Sequence, residues 1–159
     1  MEVQETQHFA SRNETIGFAH RTRKNFLFIE NAFQHGEDVH VVTQLVTSML
    51  GLVVFPWERK FQEHVKELRV DDLVKEGWPQ WNMTGQPCDT LGDLVGVLRH
   101  AVAHGHVKFS SDSRTVDEVL IEFENRPNDP LRHWRGSISG GNLRTFCLKF
   151  IQLVDNSVG

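Results

Sequence analysis

The chain has 159 residues, 39% of them hydrophobic and 24% charged, which is typical of one soluble globular domain and excludes a disordered, fibrous or repeat protein. Its formal net charge of −4 excludes a generally basic protein that coats nucleic acid through charge alone. The most apolar run, residues 39–55, is broken by polar side chains and is shorter than the roughly 20 apolar residues that a bilayer span needs. Because the N-terminus also lacks the pattern of a secretory signal, we expect a cytoplasmic protein with no membrane association.

The first half of the chain predicts helices. Residues 1–20 are polar with isolated apolar positions and predict an N-terminal arm or a short helix. Apolar spacing then predicts helices over residues 21–34, 38–55 and 61–73, the second of them buried and ended by Pro56. Glycine and proline predict a loop over residues 76–88. We expect Trp78 and Trp81 to pin that loop to the body, with a binding platform as the alternative.

The second half predicts a helix, a hairpin and a final helix. Residues 115–124 have the alternation of a strand, and residues 132–139 can return as its antiparallel partner. Ser139 to Asn142 then cap a helix over residues 143–154. Together these elements predict a mostly α fold, a helical bundle with one small β-hairpin inserted before the last helix. We divide the chain into an arm, residues 1–20, and a single helical domain, residues 21–159.

The helix that begins after Thr90 has the clearest pattern in the chain. Thr90 and Asp93 have the spacing of an N-cap residue and an N3 residue that form reciprocal capping hydrogen bonds. A stripe of apolar side chains follows at helical spacing and predicts a core-facing side, formed by Leu91, Leu94, Val95, Leu98 and Val102. Gly105 suits the left-handed position that ends a helix.

The last turn of this helix carries an unusual density of nitrogen side chains. His100 and His104 point away from the apolar stripe, and Arg99 lies about 140° around the helix from His104. Either Gly105 unwinds the end and turns His104 towards Arg99, or two copies of the helix meet and complete one site. Two plainer interpretations stay open, namely cations that favour a helix C-terminus and a metal site formed with His106.

The segment Arg99-His-Ala-Val-Ala-His104 resembles the signature of the HEPN superfamily, which is Arg, a polar residue, three small or apolar residues and His. The long helix that includes residues 36–58 is similar to a plasmid- and bacterial-encoded nuclease family of that superfamily, and the similarity extends over most of residues 20–156. HEPN domains are small helical domains that include metal-independent ribonucleases and toxin components. The superfamily most often has Asn after the Arg, where this chain has His100.

The resemblance implies a metal-independent endoribonuclease that needs no cofactor. In such an enzyme the RNA 2′-hydroxyl attacks the adjacent phosphorus, which requires a base, an acid and positive charge. We expect His104 to perform the acid–base work, Arg99 to stabilise the transition state, and His100 to support it or transfer the second proton. We expect a homodimer, and the role implied is a toxin or phage-defence component with an antitoxin protein as partner. The alternative is a non-catalytic module that binds nucleotide or protein.

The C-terminal third of the chain is basic although the whole chain is acidic. Residues 126–150 hold five Lys and Arg side chains against one Asp, so a phosphate backbone could bind there. We expect His106, Arg132 and Arg135 to contact RNA, with Trp134 as a surface for base stacking. Scattered, solvated arginines are the plainer interpretation. Cys88 and Cys147 match no metal or redox spacing, and we expect reduced thiols, with a single disulfide as the alternative.

Overall fold

A computed structural model describes residues 2–58 and 66–158, and within these ranges it has five α-helices and four β-strands. Two short 3₁₀ helices, Val116–Glu118 and Pro130–Arg132, flank the third strand. The helices are α1 (Glu2–Gln34), α2 (Val41–Glu58), α3 (Val70–Lys75), α4 (Leu91–Ala103) and α5 (Gly140–Val158). The strands are β1 (Asn82–Gly85), β2 (Val107–Phe109), β3 (Leu120–Asn125) and β4 (Trp134–Ser139).

The four strands form one antiparallel sheet in the order β1-β4-β3-β2. The expected hairpin is its centre, because β3 and β4 pair with Ile121 opposite Ile138. Its first strand begins at Leu120 and not at residue 115, since residues 116–118 form a 3₁₀ helix. The expected fold class, a mostly α bundle with one small hairpin, is wrong. An isolated two-stranded hairpin is only marginally stable, and the short strands β1 and β2 extend this one into a sheet with an apolar face.

The sheet has one apolar and one polar face, as the alternation of residues in its strands requires. Ile121, Phe123 and Ile138 are buried on the inner face. The outer face carries charged and hydroxyl side chains: Lys108, Glu122, Glu124, Arg135 and Ser137. Because β2 follows α4 directly, this polar face begins where α4 ends.

The helices pack against one another, and both α4 and α5 contact the sheet. Helices α1, α2 and α5 contact one another, while α4 contacts both α2 and β3. Trp81 fills the centre of the core, with its ring centroid 5.5 Å from that of Phe146 and 5.6 Å from that of Phe123. Trp78 also meets Phe146 edge-on at 5.5 Å. The expectation that the two tryptophans pin their loop is therefore confirmed, and both are too buried to form a binding platform.

Several element boundaries differ from those expected. The helix expected over residues 21–34 belongs to α1, which begins at Glu2, while the division into an arm and a domain stays a prediction. Helix α2 continues through Pro56 to Glu58, because the restriction that proline imposes is a preference that a helix can override at a cost. Of the helix expected over residues 61–73, residues 61–65 lie outside the described ranges, and α3 begins only at Val70. No helix among the described residues has the length and apolarity to cross a bilayer.

Candidate functional site

The start of α4 is fixed by the predicted capping box. The backbone N–H of Asp93 donates to Thr90 Oγ1 at 3.2 Å, and the N–H of Thr90 donates to Asp93 Oδ2 at 3.3 Å. Four stripe side chains are at most 1% exposed, namely Leu91, Leu94, Val95 and Leu98. Because these side chains set the rotation of the helix, the opposite side of its last turn faces solvent.

The end of α4 is fixed by a Schellman motif. Gly105 has a φ of +68°, its N–H donates to the carbonyl of Val102 at 3.1 Å, and the N–H of His106 donates to the carbonyl of Ala101 at 2.8 Å. His104 is the C-cap residue. The sequence expectation that Gly105 ends this helix is confirmed, and its left-handed backbone carries the chain directly from His104 towards the sheet.

Three histidines gather at this helix end. The rings of His100 and His104 are stacked, with centroids 6.3 Å apart and an angle of 2° between their planes. The ring of His106 lies 6.1 Å from that of His104, tilted by 33°. All three side chains are exposed, and Arg99 beside them is half-buried. We call His100, His104 and His106 the histidine cluster.

The sheet holds the histidine cluster in place through its backbone. The N–H of Glu124 on β3 donates to the carbonyl of His106 at 3.0 Å, and Val107 then pairs with Phe123. His106 therefore occupies the register position opposite Glu124. Because Glu124 is also paired with Arg135 on β4, the positions of His106, Glu124 and Arg135 form one row across the outer face.

Glu124 is an acidic side chain that is nearly buried on this polar face. Its side chain is 7% exposed, with Oε2 2.5 Å from Nε of Arg126 and Oε1 2.6 Å from Nη2 of Arg135. Burial by itself would raise the pKa of Glu124, but its close ion pairs with the two arginines outweigh it and lower that pKa below its ordinary value. Glu124 is thus a carboxylate that binds two guanidinium groups.

A surface cleft of about 380 Å³ opens above this carboxylate. The side chains of Arg126 and Arg135 line it, together with His133 and Thr84. Both arginine side chains remain more than half exposed, at 56% and 54%. The cleft therefore combines a buried negative charge at its base with two positive groups that solvent can reach.

The basic run of residues 126–150 does not form one surface. Arg144 binds Glu30 of α1 in bidentate fashion, with N–O distances of 2.6 and 2.7 Å, and Lys149 Nζ lies 3.5 Å from the carbonyl of Glu76. The expected stacking surface at Trp134 is wrong, because its side chain is 2% exposed and belongs to the core. Arg132 is exposed on a 3₁₀ helix, while Arg135 belongs to the row that starts at His106.

Sequence reasoning missed Glu124 and counted Arg126 only as one cation of the basic run of residues 126–150. Glu124 alternates with buried apolar residues in Ile-Glu-Phe-Glu, which predicts an exposed side chain on the solvent side of a strand. Arg126 follows it at the start of a turn. The two residues come together with Arg135 only because β4 returns beside β3, and charge opposite charge across a predicted hairpin was the one signal that could have linked Glu124 to Arg135.

The histidine cluster lacks the arrangement of a metal centre. Zinc ligands converge on one ion at about 2.0–2.1 Å from each nitrogen, whereas two of these rings stack in parallel. Among the described residues no group of three or more His, Cys, Asp or Glu side chains could hold a metal ion. Cys88 and Cys147 are both free and buried, so neither forms the alternative disulfide.

The structure is that of a mixed α/β domain in which helix α4 ends in an exposed histidine cluster beside the half-buried Arg99. The sequence model of one family, HEPN pEK499 p136, matches residues 1–159, and the chain belongs to this HEPN family. No curated protein and no solved structure matches the chain. Membership of this family indicates a nuclease-like or nucleotide-binding function.

Proposed function

We propose that the protein is a metal-independent endoribonuclease that cleaves RNA through attack of the 2′-hydroxyl. The observation that carries the proposal is the exposed histidine stack beside Arg99, at a helix end fixed by both the core and the sheet. Family membership supports it, since HEPN domains often bind RNA and dimerise. The biological role that fits is a toxin or phage-defence component of the cytoplasm, held in check by an antitoxin protein.

The reaction needs two proton transfers and charge stabilisation. A base takes the proton of the 2′-hydroxyl, whose oxygen bonds to phosphorus as the bond to the 5′-oxygen breaks, and an acid protonates that leaving oxygen. The products are a 2′,3′-cyclic phosphate and a free 5′-hydroxyl. His104 is assigned to acid–base work, because imidazole exchanges protons near neutral pH, and His100 to its support or to the second transfer. Arg99 is assigned to the equatorial phosphoryl oxygens.

A homodimer is part of the proposal. His104 follows Arg99 by five positions, which corresponds to about 140° around an ideal helix, so the two side chains of one chain diverge. A symmetric pair of α4 ends facing each other brings the Arg99 of one copy towards the His104 of the other. Each dimer would then contain two equivalent composite sites.

The test is RNA cleavage in EDTA by purified single variants. Arg99→Ala should lose about 10²–10³-fold in rate because a preorganised charge is removed, and His104→Ala a comparable factor through lost proton transfer. His100→Ala should lose less. His35→Ala, which removes an exposed imidazole just after the last residue of α1, should cleave like the wild type.

Circular dichroism and thermal melting of each variant establish that it is folded. Wild-type cleavage rates in both Arg99→Ala and His104→Ala would overturn the proposal. Tight binding of RNA or nucleotide with no cleavage product from the wild type would establish the non-catalytic binding module in its place.

A further inference from the structure

The cleft above Glu124 is a second charged feature, separate from the histidine cluster. The two arginines that line it come from different segments, since Arg126 follows β3 and Arg135 lies within β4. Both bind the same carboxylate, so their guanidinium groups are held close to each other. Glu122 also lies near Arg135, with 3.7 Å between its Oε1 and Nε of the arginine.

The geometry of these ion pairs leaves the arginines able to bind a ligand. A guanidinium group has five N–H donors, and a carboxylate uses only some of them. Each arginine side chain keeps more than half of its surface exposed. The buried carboxylate restricts the rotamers of the two exposed arginines before any ligand arrives. A ligand therefore loses less binding free energy to side-chain ordering, and the pair is preorganised for a tetrahedral anion.

The position of the pair connects it to the proposed active site. His106 and Arg135 are separated in their row by β3 alone, that is by two strand spacings or roughly 10 Å. Arg135 therefore lies one strand beyond Glu124 from the histidine cluster, on the same face of the sheet. This placement suits a second phosphate of the same RNA strand, which the exposed N–H donors of Arg126 and Arg135 would bind.

We propose that Arg126 and Arg135, preorganised by Glu124, form a clamp for a phosphodiester group of RNA that flanks the scissile one. The proposal rests on the proposed function for the identity of the ligand. In this arrangement the bound RNA strand crosses the outer face of the sheet from the histidine cluster to the cleft. Glu124 is a positioning residue, and the two arginines determine how firmly a substrate longer than a dinucleotide is held.

The test measures binding apart from cleavage. The probe is a fluorescent, fully 2′-O-methylated RNA of about 12 nucleotides, which has no 2′-hydroxyl to attack and covers a typical single-strand site. Arg126→Gln and Arg135→Gln should each raise Kd about tenfold, and the dependence of log Kd on log salt should fall by about 0.7 for each lost phosphate contact. Lys75→Gln removes an exposed cation on α3 and should change neither Kd nor its salt dependence.

A second variant separates positioning from net charge. Glu124→Gln removes a negative charge, so binding would tighten if charge alone attracted RNA. We expect weaker binding, because an amide cannot hold both guanidinium groups as the carboxylate does. Thermal melting confirms folding of each variant. If Glu124→Gln does not fold, the binding of the probe by the two arginine variants still tests the clamp.

Cleavage assays distinguish the failure of this proposal from the failure of the nuclease. For the arginine variants kcat/KM on the longer unmodified RNA should fall about tenfold through KM, a larger loss than on a dinucleotide, which is too short to reach the clamp. Wild-type probe binding by both arginine variants overturns the clamp and leaves the nuclease untouched. Probe binding that depends on the arginines, in a protein that cleaves no RNA, overturns the nuclease and keeps the clamp.

Discussion

The carboxylate of Glu124 shows how one residue can be placed by partners that its own sequence neighbourhood does not reveal. It is buried on a polar sheet face because Arg126 and Arg135 compensate the loss of its hydration. The same contacts tie the end of β3 to β4, next to the backbone hydrogen bond that holds His106. A single side chain thereby links the stability of the sheet to the geometry of the proposed site.

We expect the stability contributed by Glu124 to depend on pH. Its pKa is lower in the folded than in the unfolded chain, so the ion pairs stabilise the fold above the ordinary carboxyl pKa of about 4.5, and this contribution is lost as pH falls through the folded value. Glu124→Gln should therefore melt at a lower temperature than the wild type at pH 7. Thermal melts in steps from pH 7 to pH 3 should show the two curves approaching each other. A difference that stays constant over this range would contradict the assignment.

The two cysteine thiols should be unreactive in the folded protein. Burial raises the pKa of Cys147 to about 12, and burial followed by the charges of Asp93 and Asp89 raises that of Cys88 to about 12. Since the thiolate is the reactive form, iodoacetamide at pH 8 should alkylate both about a thousandfold more slowly than a free cysteine, by roughly the ratio of thiolate fractions. Mass spectrometry after a timed quench measures this. Alkylation of both thiols in denaturant is the positive control, and rapid labelling of the native protein would contradict the prediction.

At the scale of elements, the turn between α4 and β2 depends on one glycine. A Cβ at Gly105 would meet nothing within 4 Å, so only its φ of +68° opposes substitution. Gly105→Ala should cost about 1–2 kcal/mol, the penalty for an L-residue in this conformation, and Gly105→Asn less, because asparagine tolerates it. Urea unfolding measures both variants. Equal destabilisation by Ala and Asn would indicate that a contact, rather than φ, governs the position.

The elements that the sequence predicted well are those whose signals are local. Both ends of α4 follow from short patterns, because Thr90 and Asp93 lie three residues apart and Gly105 closes the last turn. Helix α5 is equally local: Ser139 Oγ accepts from the N–H of Asn142 at 3.2 Å. Its described stripe residues, Leu143, Phe146, Cys147, Phe150 and Ile151, are all buried as expected.

The outer strands were missed because long-range pairing creates them. Strand β2 has only three residues, and β1 lies within a segment rich in glycine and proline, so neither has a run long enough to predict a strand. Their stability comes from β3 and β4, which are distant in sequence from β1. The site residues differ in the same way. The exposure of His100 and His104 follows from helical periodicity, whereas the convergence of Arg126 and Arg135 on Glu124 requires the folded sheet.

At the scale of the whole molecule, α4 links the hydrophobic core to the proposed active site. One side of it is buried against α2 and β3, and its exposed end carries the histidine cluster. Both the cap and the sheet fix the backbone of that end. The proposed homodimer, in which two such ends meet, can be tested without knowing the RNA target.

The composite site predicts complementation between two inactive variants. Arg99→Ala and His104→Ala, each with a different affinity tag, are co-expressed, and the heterodimer is isolated by two successive purifications. In it one site lacks both residues and the other has both, so it should regain about half of the wild-type activity per dimer, as two-fold symmetry requires. Analytical ultracentrifugation should give twice the protomer mass of 18.3 kDa. The singly tagged homodimers serve as controls, because each lacks one residue in both sites and should stay inactive. A heterodimer no more active than these controls would mean that each chain builds its site alone, and Gly105 would then have to unwind to bring His104 to Arg99.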